Sequence, residues 1–203
     1  REKIRVIPNP LRKLNFPAEP DQKMILAVGR LVSQKGMDLI IEAFNLTSAK
    51  ESWKLTLLGD GKELSYLQEL VREKELEDKV EFKGNRKDID TYYARASIFL
   101  LGSRYEGFPN VLVEAMGAGL PCISFDCDFG PSELIEHEKN GLLIEQGNIE
   151  QMAKRIDELA FDREKRELLG KEATKLGERL KMDRIMKQWK QMFEELHNPD
   201  VHE

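Results

Sequence analysis

Cysteine is scarce in this sequence: two stand among 203 residues, at Cys122 and Cys127. Their spacing fits neither a disulfide framework nor the usual zinc motifs, so both read as buried free thiols. Long apolar runs are also lacking. None approaches the roughly 20 residues that span a bilayer, and the opening REKIRVIPNP has no apolar core of a signal peptide, which points to a cytoplasmic chain. Nor is there an excess of positive charge. Lys and Arg number 32 against 37 Asp and Glu, a formal net charge of -5, with the cations scattered. Nucleic acid is thereby excluded as the main partner, because phosphate backbones are bound through basic surfaces. What remains, 40% hydrophobic and 34% charged residues, suits one soluble globular domain with room for a real core.

The chain divides into three parts. Residues 1–22 carry four prolines, in IRVIPNP and LRKLNFPAEPD, and read as an extended linker rather than a core element. From residue 23 a unit of apolar strand, polar loop and helix recurs. MILAV (24–28), KLTLL (54–58), VEFKG (80–84), SIFLL (97–101), PCISF (121–125) and GLLI (141–144) are the strands. Continuous apolar strands alternating with helices indicate an α/β fold: a doubly wound, mostly parallel sheet of about six strands with helices on both faces. The C-terminal third is helical, with apolar faces on Ile149, Met152, Ala153, Ile156 and Leu159 and on Leu168, Leu169, Ala173 and Leu176. The domain is expected to run over 23–180 and a final helix and tail over 181–203. Met182, Ile185, Met186, Trp189, Met192, Phe193 and Leu196 form a stripe there that predicts core packing against some partner surface.

The most informative stretch is SRYEGFPNVLVEAMGAGLP, residues 103–121. Pro109 suits the first turn of a helix, and Gly117, Gly119 and Pro121 close it. Val111, Leu112, Val113, Ala115 and Met116 make this helix apolar almost all round, so it is expected to be buried. Glu114 is the exception and calls for partners that donate. The helix start, preceded by Gly107, offers free N–H groups to an anion such as phosphate. Glu106 and Glu114, eight positions apart, would repel phosphate but accept from sugar hydroxyls on either side of it. A nucleotide sugar combines both chemistries. The structural alternative is a buried helix whose Glu114 satisfies stray donors while Glu106 complements the helix dipole.

In a doubly wound sheet, ligands bind beyond the carboxyl ends of the strands. There the sequence places Gly29, Arg30 and Lys35 in G-R-x4-K-G, then Gly59, Asp60 and Gly61, then Gly84, Asn85 and Arg86, then Ser103 to Asn110. Arg30 and Lys35 supply positive charge suited to a diphosphate. GRLVSQKG, GDG, the Gly84 loop and above all EGFPNVLVE resemble the nucleotide-binding half of the retaining glycosyltransferases of family 4, one Rossmann-like half of a GT-B fold. The resemblance runs from about Ile4 to Phe193.

By that resemblance the ligand is a nucleotide sugar, with UDP preferred over GDP or ADP. Arg30 and Lys35 hold the diphosphate and Glu114 the ribose hydroxyls. Glu106 contacts the donor sugar, and the turn of Gly107, Phe108, Pro109, Asn110 and Val111 assists through backbone N–H groups. Gly29 and Gly59 line the site, and the loop at Asn85 and Arg86 meets the base. Glu106, Arg30 and Lys35 would carry catalysis, with no metal and no further cofactor. D-x-D spacings at Asp88-Ile89-Asp90 and Asp126-Cys127-Asp128 read as a helix N-cap and ordinary acidic pairs rather than metal ligands.

The family's enzymes place their active site between two such domains, so the resemblance implies an acceptor domain missing from this chain and a C-terminal helix that crosses back towards it, with part of the stripe from Met182 to Leu196 exposed. Its family histidine is missing with it, and His137, His197 and His202 match no family position. Expected partners are that domain, the nucleotide sugar and a glycan or lipid-linked acceptor. The whole enzyme would be cytoplasmic, at the inner face of the plasma membrane where it associates peripherally. CDFGPSELIEHEKNGLLI narrows the likeness to members that build bacterial cell-surface or lipid-linked oligosaccharides. A binding module without catalysis, or a GT-B-like epimerase, remains the alternative, because the fold alone does not select a function.

Overall fold

A computed structural model describes residues 4–14 and 22–197. Each apolar run becomes a strand, and the polar segment between runs turns back through a helix. In chain order these are β1 (Met24–Val28), α1 (Met37–Leu46), β2 (Lys54–Leu58), α2 (Leu64–Glu73), β3 (Val80–Phe82), α3 (Ile89–Arg95), β4 (Ile98–Leu101), α4 (Asn110–Gly117), β5 (Cys122–Asp126), α5 (Pro131–Leu134) and β6 (Leu142–Glu145). Three longer helices follow: α6 (Ile149–Phe161), α7 (Arg163–Arg179) and α8 (Met182–His197). The six strands pair in parallel in the order β3-β2-β1-β4-β5-β6. The chain therefore winds outward in one direction from β1 and in the other from β4. Their carboxyl ends bound the crevice where such sheets take ligands.

Both faces of the sheet are covered. On one, Ile25, Ala27, Leu55, Leu57, Ile98 and Ile123 pack with residues of α1, α2 and α6; on the other, Leu26, Phe99, Leu101 and Cys122 pack with α4 and with Ala173 and Leu176 of α7. This double burial explains why the strands are apolar without alternation. Cys122 and Cys127 are both buried free thiols, and burial pushes both thiol pKa values up. Asn148 caps α6 by accepting from the Gln151 N–H at 3.0 Å, and Asp162 caps α7 by accepting from that of Lys165 at 2.8 Å. Each such cap stabilises its helix by about 1 kcal/mol. Trp53 is buried at the start of β2, with the Arg166 guanidinium 5.2 Å from its ring centre.

Three expectations need correction. The stripe on α8 is not core: only Ile185 is buried, whereas Met182, Met186, Trp189, Phe193 and Leu196 are 37–70% exposed. Apolar period marks one face of a helix, and the described residues do not cover that face. Leu168 likewise points outward at 60% exposure, although Leu169, Ala173 and Leu176 are buried as expected. Asp88 occupies the N-cap position of α3 without capping it; its carboxylate instead receives a two-pronged bond from Arg86 at 2.8 and 2.9 Å.

The segment 4–14 has no regular helix or strand, yet it is anchored to the domain. The Leu11 N–H donates to the Leu180 carbonyl at 2.8 Å, and the Leu11 side chain fills a notch where a Cβ at Gly117 would lie 2.5 Å from it. Among the described residues no helix is long and apolar enough to cross a membrane.

Candidate active site

The loops after β1 and β4 meet because two glycines let their backbones touch. Gly36 has φ +58°, and a Cβ there would lie 1.9 Å from the Gly102 carbonyl oxygen. Only glycine tolerates both the conformation and the approach. The contact brings Lys35, at the end of the β1 loop, onto the turn that leads into α4. Its ammonium donates to Glu106 Oε1 at 2.6 Å, and the buried Ser103 hydroxyl donates to the same oxygen at 2.6 Å. Lys35 and Glu106 side chains are 16% and 5% exposed, so this is a nearly buried ion pair.

Arg104 holds the two loops together. Its guanidinium donates to both Asp38 oxygens at 2.9 and 2.6 Å and to the Ser33 carbonyl at 2.5 Å, while its own N–H reaches the Gln34 carbonyl at 2.8 Å. The Asp38 bonds raise the Arg104 pKa further above its ordinary value, so the clamp stays charged. Gln34 Nε2 closes it on the Tyr105 carbonyl at 3.1 Å.

Pro109 lies at the N-cap of α4 rather than inside the helix, and Asn110 is the first helical residue. The Leu112 and Val113 N–H groups are satisfied by the Pro109 carbonyl and that of Asn110 by Phe108. Gly107, Phe108 and Val111 have N–H groups with no acceptor among the described residues. These donors and the helix dipole favour an anion beside the Lys35–Glu106 pair. Nearby, Gly130 of the β5 loop approaches Pro109 closely: a Cβ on Gly130 would lie 2.6 Å from the Pro109 ring.

Gly29, Arg30, Gly59, Asn85 and Arg86 come together elsewhere along the same edge. With Val28, Leu58 and Ile89 they line a cavity of about 210 Å³ at the carboxyl ends of β1 to β3. Gly59, at φ +134°, shapes its floor, since a Cβ there would strike the Gly29 carbonyl at 1.9 Å. Arg30 bridges the two clusters, lining the cavity while its guanidinium lies 3.5 Å from Gln34 Oε1.

Glu114 sits one turn into α4, 17% exposed. Arg12 Nε donates to Oε1 at 2.8 Å and the Tyr93 hydroxyl to Oε2 at 3.0 Å, supplying the donors its position demands. Burial foremost, then the charge of Glu114, pushes the Tyr93 pKa well up, so the phenol remains a donor. Sequence reading singled out none of Arg12, Tyr93, Arg104 and Asp38. Asp90 meets Arg12 and Asp88 meets Arg86, so a cation occupies one side of each carboxylate in the first D-x-D. His137 accepts at Nδ1 from the Leu143 N–H at 3.0 Å on the surface, His197 is exposed, and His202 lies outside the described residues.

Comparison with known proteins supplies the family. An uncharacterized glycosyltransferase of Haemophilus influenzae is 36% identical over 184 residues, covering 90% of this chain and 52% of the relative. The amylovoran biosynthesis glycosyltransferase AmsD of Erwinia amylovora is 31% identical over 181 residues, covering 89% of this chain and 51% of the relative. The chain thus spans about half the length of the curated relatives it matches. Among solved structures, a TarM mutant of S. aureus in complex with Fondaparinux, alpha-GlcNAc-glycerol and UDP superimposes with a TM-score of 0.87 at 29% identity, covering 95% of this chain and 40% of that one. A family signature described as glycosyl transferases group 1 matches residues 12–176, and the chain belongs to that family.

Proposed function

We propose that this chain is the donor-binding half of a retaining glycosyltransferase. It would take a hexosyl or N-acetylhexosaminyl group from a UDP-sugar and pass it to a glycan or lipid-linked acceptor of the cell surface. The observation that carries the reading is the Lys35–Glu106 pair, joined at 2.6 Å beside the start of α4. An ammonium has three donors and only one is engaged here, leaving two for diphosphate oxygens. Glu106 keeps an oxygen with which to accept from a sugar hydroxyl. A cation for the diphosphate and a carboxylate for the sugar, held together, match the two ends of the bond that breaks. Negative charge grows on the leaving diphosphate, and Arg30, Lys35 and the N–H groups of Gly107, Phe108 and Val111 would stabilise it. Glu106 orients the sugar. The UDP held by the TarM structure and the polysaccharide role named for AmsD support the choice of donor and pathway class.

Domain limits of 23–180, with the preceding segment as linker and 181–203 as a terminal helix, belong to the same proposal. So does a cytoplasmic enzyme working at the inner face of the plasma membrane. One domain provides one wall of a cleft, so transfer requires a second domain that presents the acceptor. Calorimetry with UDP and uridine tests the reading. Arg30→Ala is expected to weaken UDP by about 1.5–3 kcal/mol, the contribution of a charge-assisted bond, and to leave uridine unchanged. Equal losses for both ligands would remove the cation from the diphosphate and the reading with it. Binding of UDP is expected to survive EDTA; its abolition would reinstate a metal at a D-x-D.

A further inference from the structure

The carboxylate read as the ribose ligand is held by a residue from outside the sheet-and-helix body. Arg12 lies in the irregular segment 4–14, which touches α4 at two successive turns: Asn9 Nδ2 donates to Asn110 Oδ1 at 3.2 Å, and Arg12 Nε to Glu114 Oε1 at 2.8 Å. The other arm of the guanidinium reaches Asp90 Oδ1 at 2.5 Å, and Leu11 beside it is pinned to Leu180. Arg12 therefore has a fixed backbone and a fixed far partner. Its fork sets the plane of the Glu114 carboxylate, with Tyr93 steadying the second oxygen at 3.0 Å.

We propose that Arg12 is a positioning residue for the nucleotide's ribose, acting through Glu114; the proposal rests on the reading of Glu114 as the ribose ligand. Two short bonds, from Arg12 Nε and Tyr93, and a longer one from Arg12 Nη2 to Oε2 at 3.5 Å use three of the roughly four acceptor positions of the carboxylate. Oε1 keeps one open position, and on Oε2 the long 3.5 Å contact is the one a hydroxyl can replace, so the carboxylate can accept from a pair of neighbouring hydroxyls. Without Arg12 the carboxylate would retain only Tyr93 among these donors and could rotate. A vicinal diol needs both oxygens in one orientation, so freedom there costs affinity for the diol and nothing for the phosphates. The charge of Arg12 also offsets that of Glu114, so covering the carboxylate with a ligand does not bury an unpaired charge. Because Arg12 belongs to segment 4–14, displacement of that segment would be felt at the ribose.

The test compares UDP with its analogue lacking both ribose hydroxyls, titrated into the chain and its Arg12→Ala, Arg12→Lys and Glu114→Gln variants. Thermal melts establish which variants are folded, and Arg12→Lys keeps the experiment decisive if Arg12→Ala is not. Wild type is expected to prefer UDP by about tenfold or more, the worth of two hydroxyl bonds to a carboxylate. Arg12→Ala should lose most of that preference while its affinity for the analogue stays within about twofold; Arg12→Lys, a point charge that cannot fork, should lose part of it. Adding Arg12→Ala to Glu114→Gln should cost nothing further for UDP. Equal weakening of both ligands by the Arg12 variants, or an undiminished preference for UDP, would overturn the positioning role alone. A wild type that binds both ligands equally would instead overturn the ribose assignment of Glu114 itself.

Discussion

The two carboxylates of the E-x7-E spacing are held in opposite ways. Glu106 is gripped from inside the domain by Lys35 and Ser103, through loops that meet at Gly36 and Gly102 and are clamped by Arg104. Glu114 is gripped by Tyr93 from within and by Arg12 from the segment before β1. Exposure follows the same division: the Lys35 and Glu106 side chains are 16% and 5% exposed, Arg12 and Glu114 39% and 17%. One end of the site is preorganised by the fold. The other depends on where a neighbouring stretch of chain lies.

The largest effect is expected where the inner grip originates. Gly36→Val forces a β-branched residue to φ +58° and drives its Cβ into the Gly102 carbonyl, so it should destabilise the chain by at least about 3 kcal/mol in urea titration. A loss below about 1 kcal/mol would mean that the two loops part freely. Next comes Lys35→Met, which leaves Glu106 buried without its cation and should cost about 3 kcal/mol. Adding Glu106→Gln should recover much of that loss; no recovery would show that the pair is not where the energy lies. Arg12→Ala should be milder, about 1 kcal/mol, because water screens a pair in which one side chain is more than a third exposed. Parity between the Lys35 and Arg12 variants would erase the contrast. Smallest is Tyr93→Phe at neutral pH, about 1 kcal/mol or less for one hydrogen bond. Its sharper signature is alkaline. The folded phenol has a raised pKa, so its contribution is intact below the unfolded tyrosine pKa of about 10 and falls as pH rises beyond it. Tyr93→Phe should flatten that decline.

These contrasts were unequally visible in the sequence. Strands were legible because a parallel sheet covered on both faces demands unbroken apolar runs, and helix α1 because Gly36 punctuates its start. Glycine and charge placement after each strand pointed to Arg30, Lys35 and Glu106 as candidates, and the structure brings Lys35 and Glu106 together near the start of α4. Arg12, Tyr93 and Arg104 stayed hidden for a shared reason: an ion pair that joins residues 102 apart, such as Arg12 and Glu114, leaves no local pattern. The apolar stripe of α8 misled differently. Periodicity states that a face avoids water but not which chain covers it.

That exposed stripe gives the protein a two-channel optical signal. Its only two tryptophans occupy contrasting environments, Trp53 at 2% exposure with an arginine over its ring and Trp189 at 37% on α8, stacked 5.8 Å from Phe193. Emission from Trp53 should stay blue and respond only to unfolding of the sheet. Trp189 should emit further to the red and be quenched by iodide in the native state. With Trp53→Phe in hand, any partner that covers α8 would be seen as a blue shift and lost quenching of Trp189 alone.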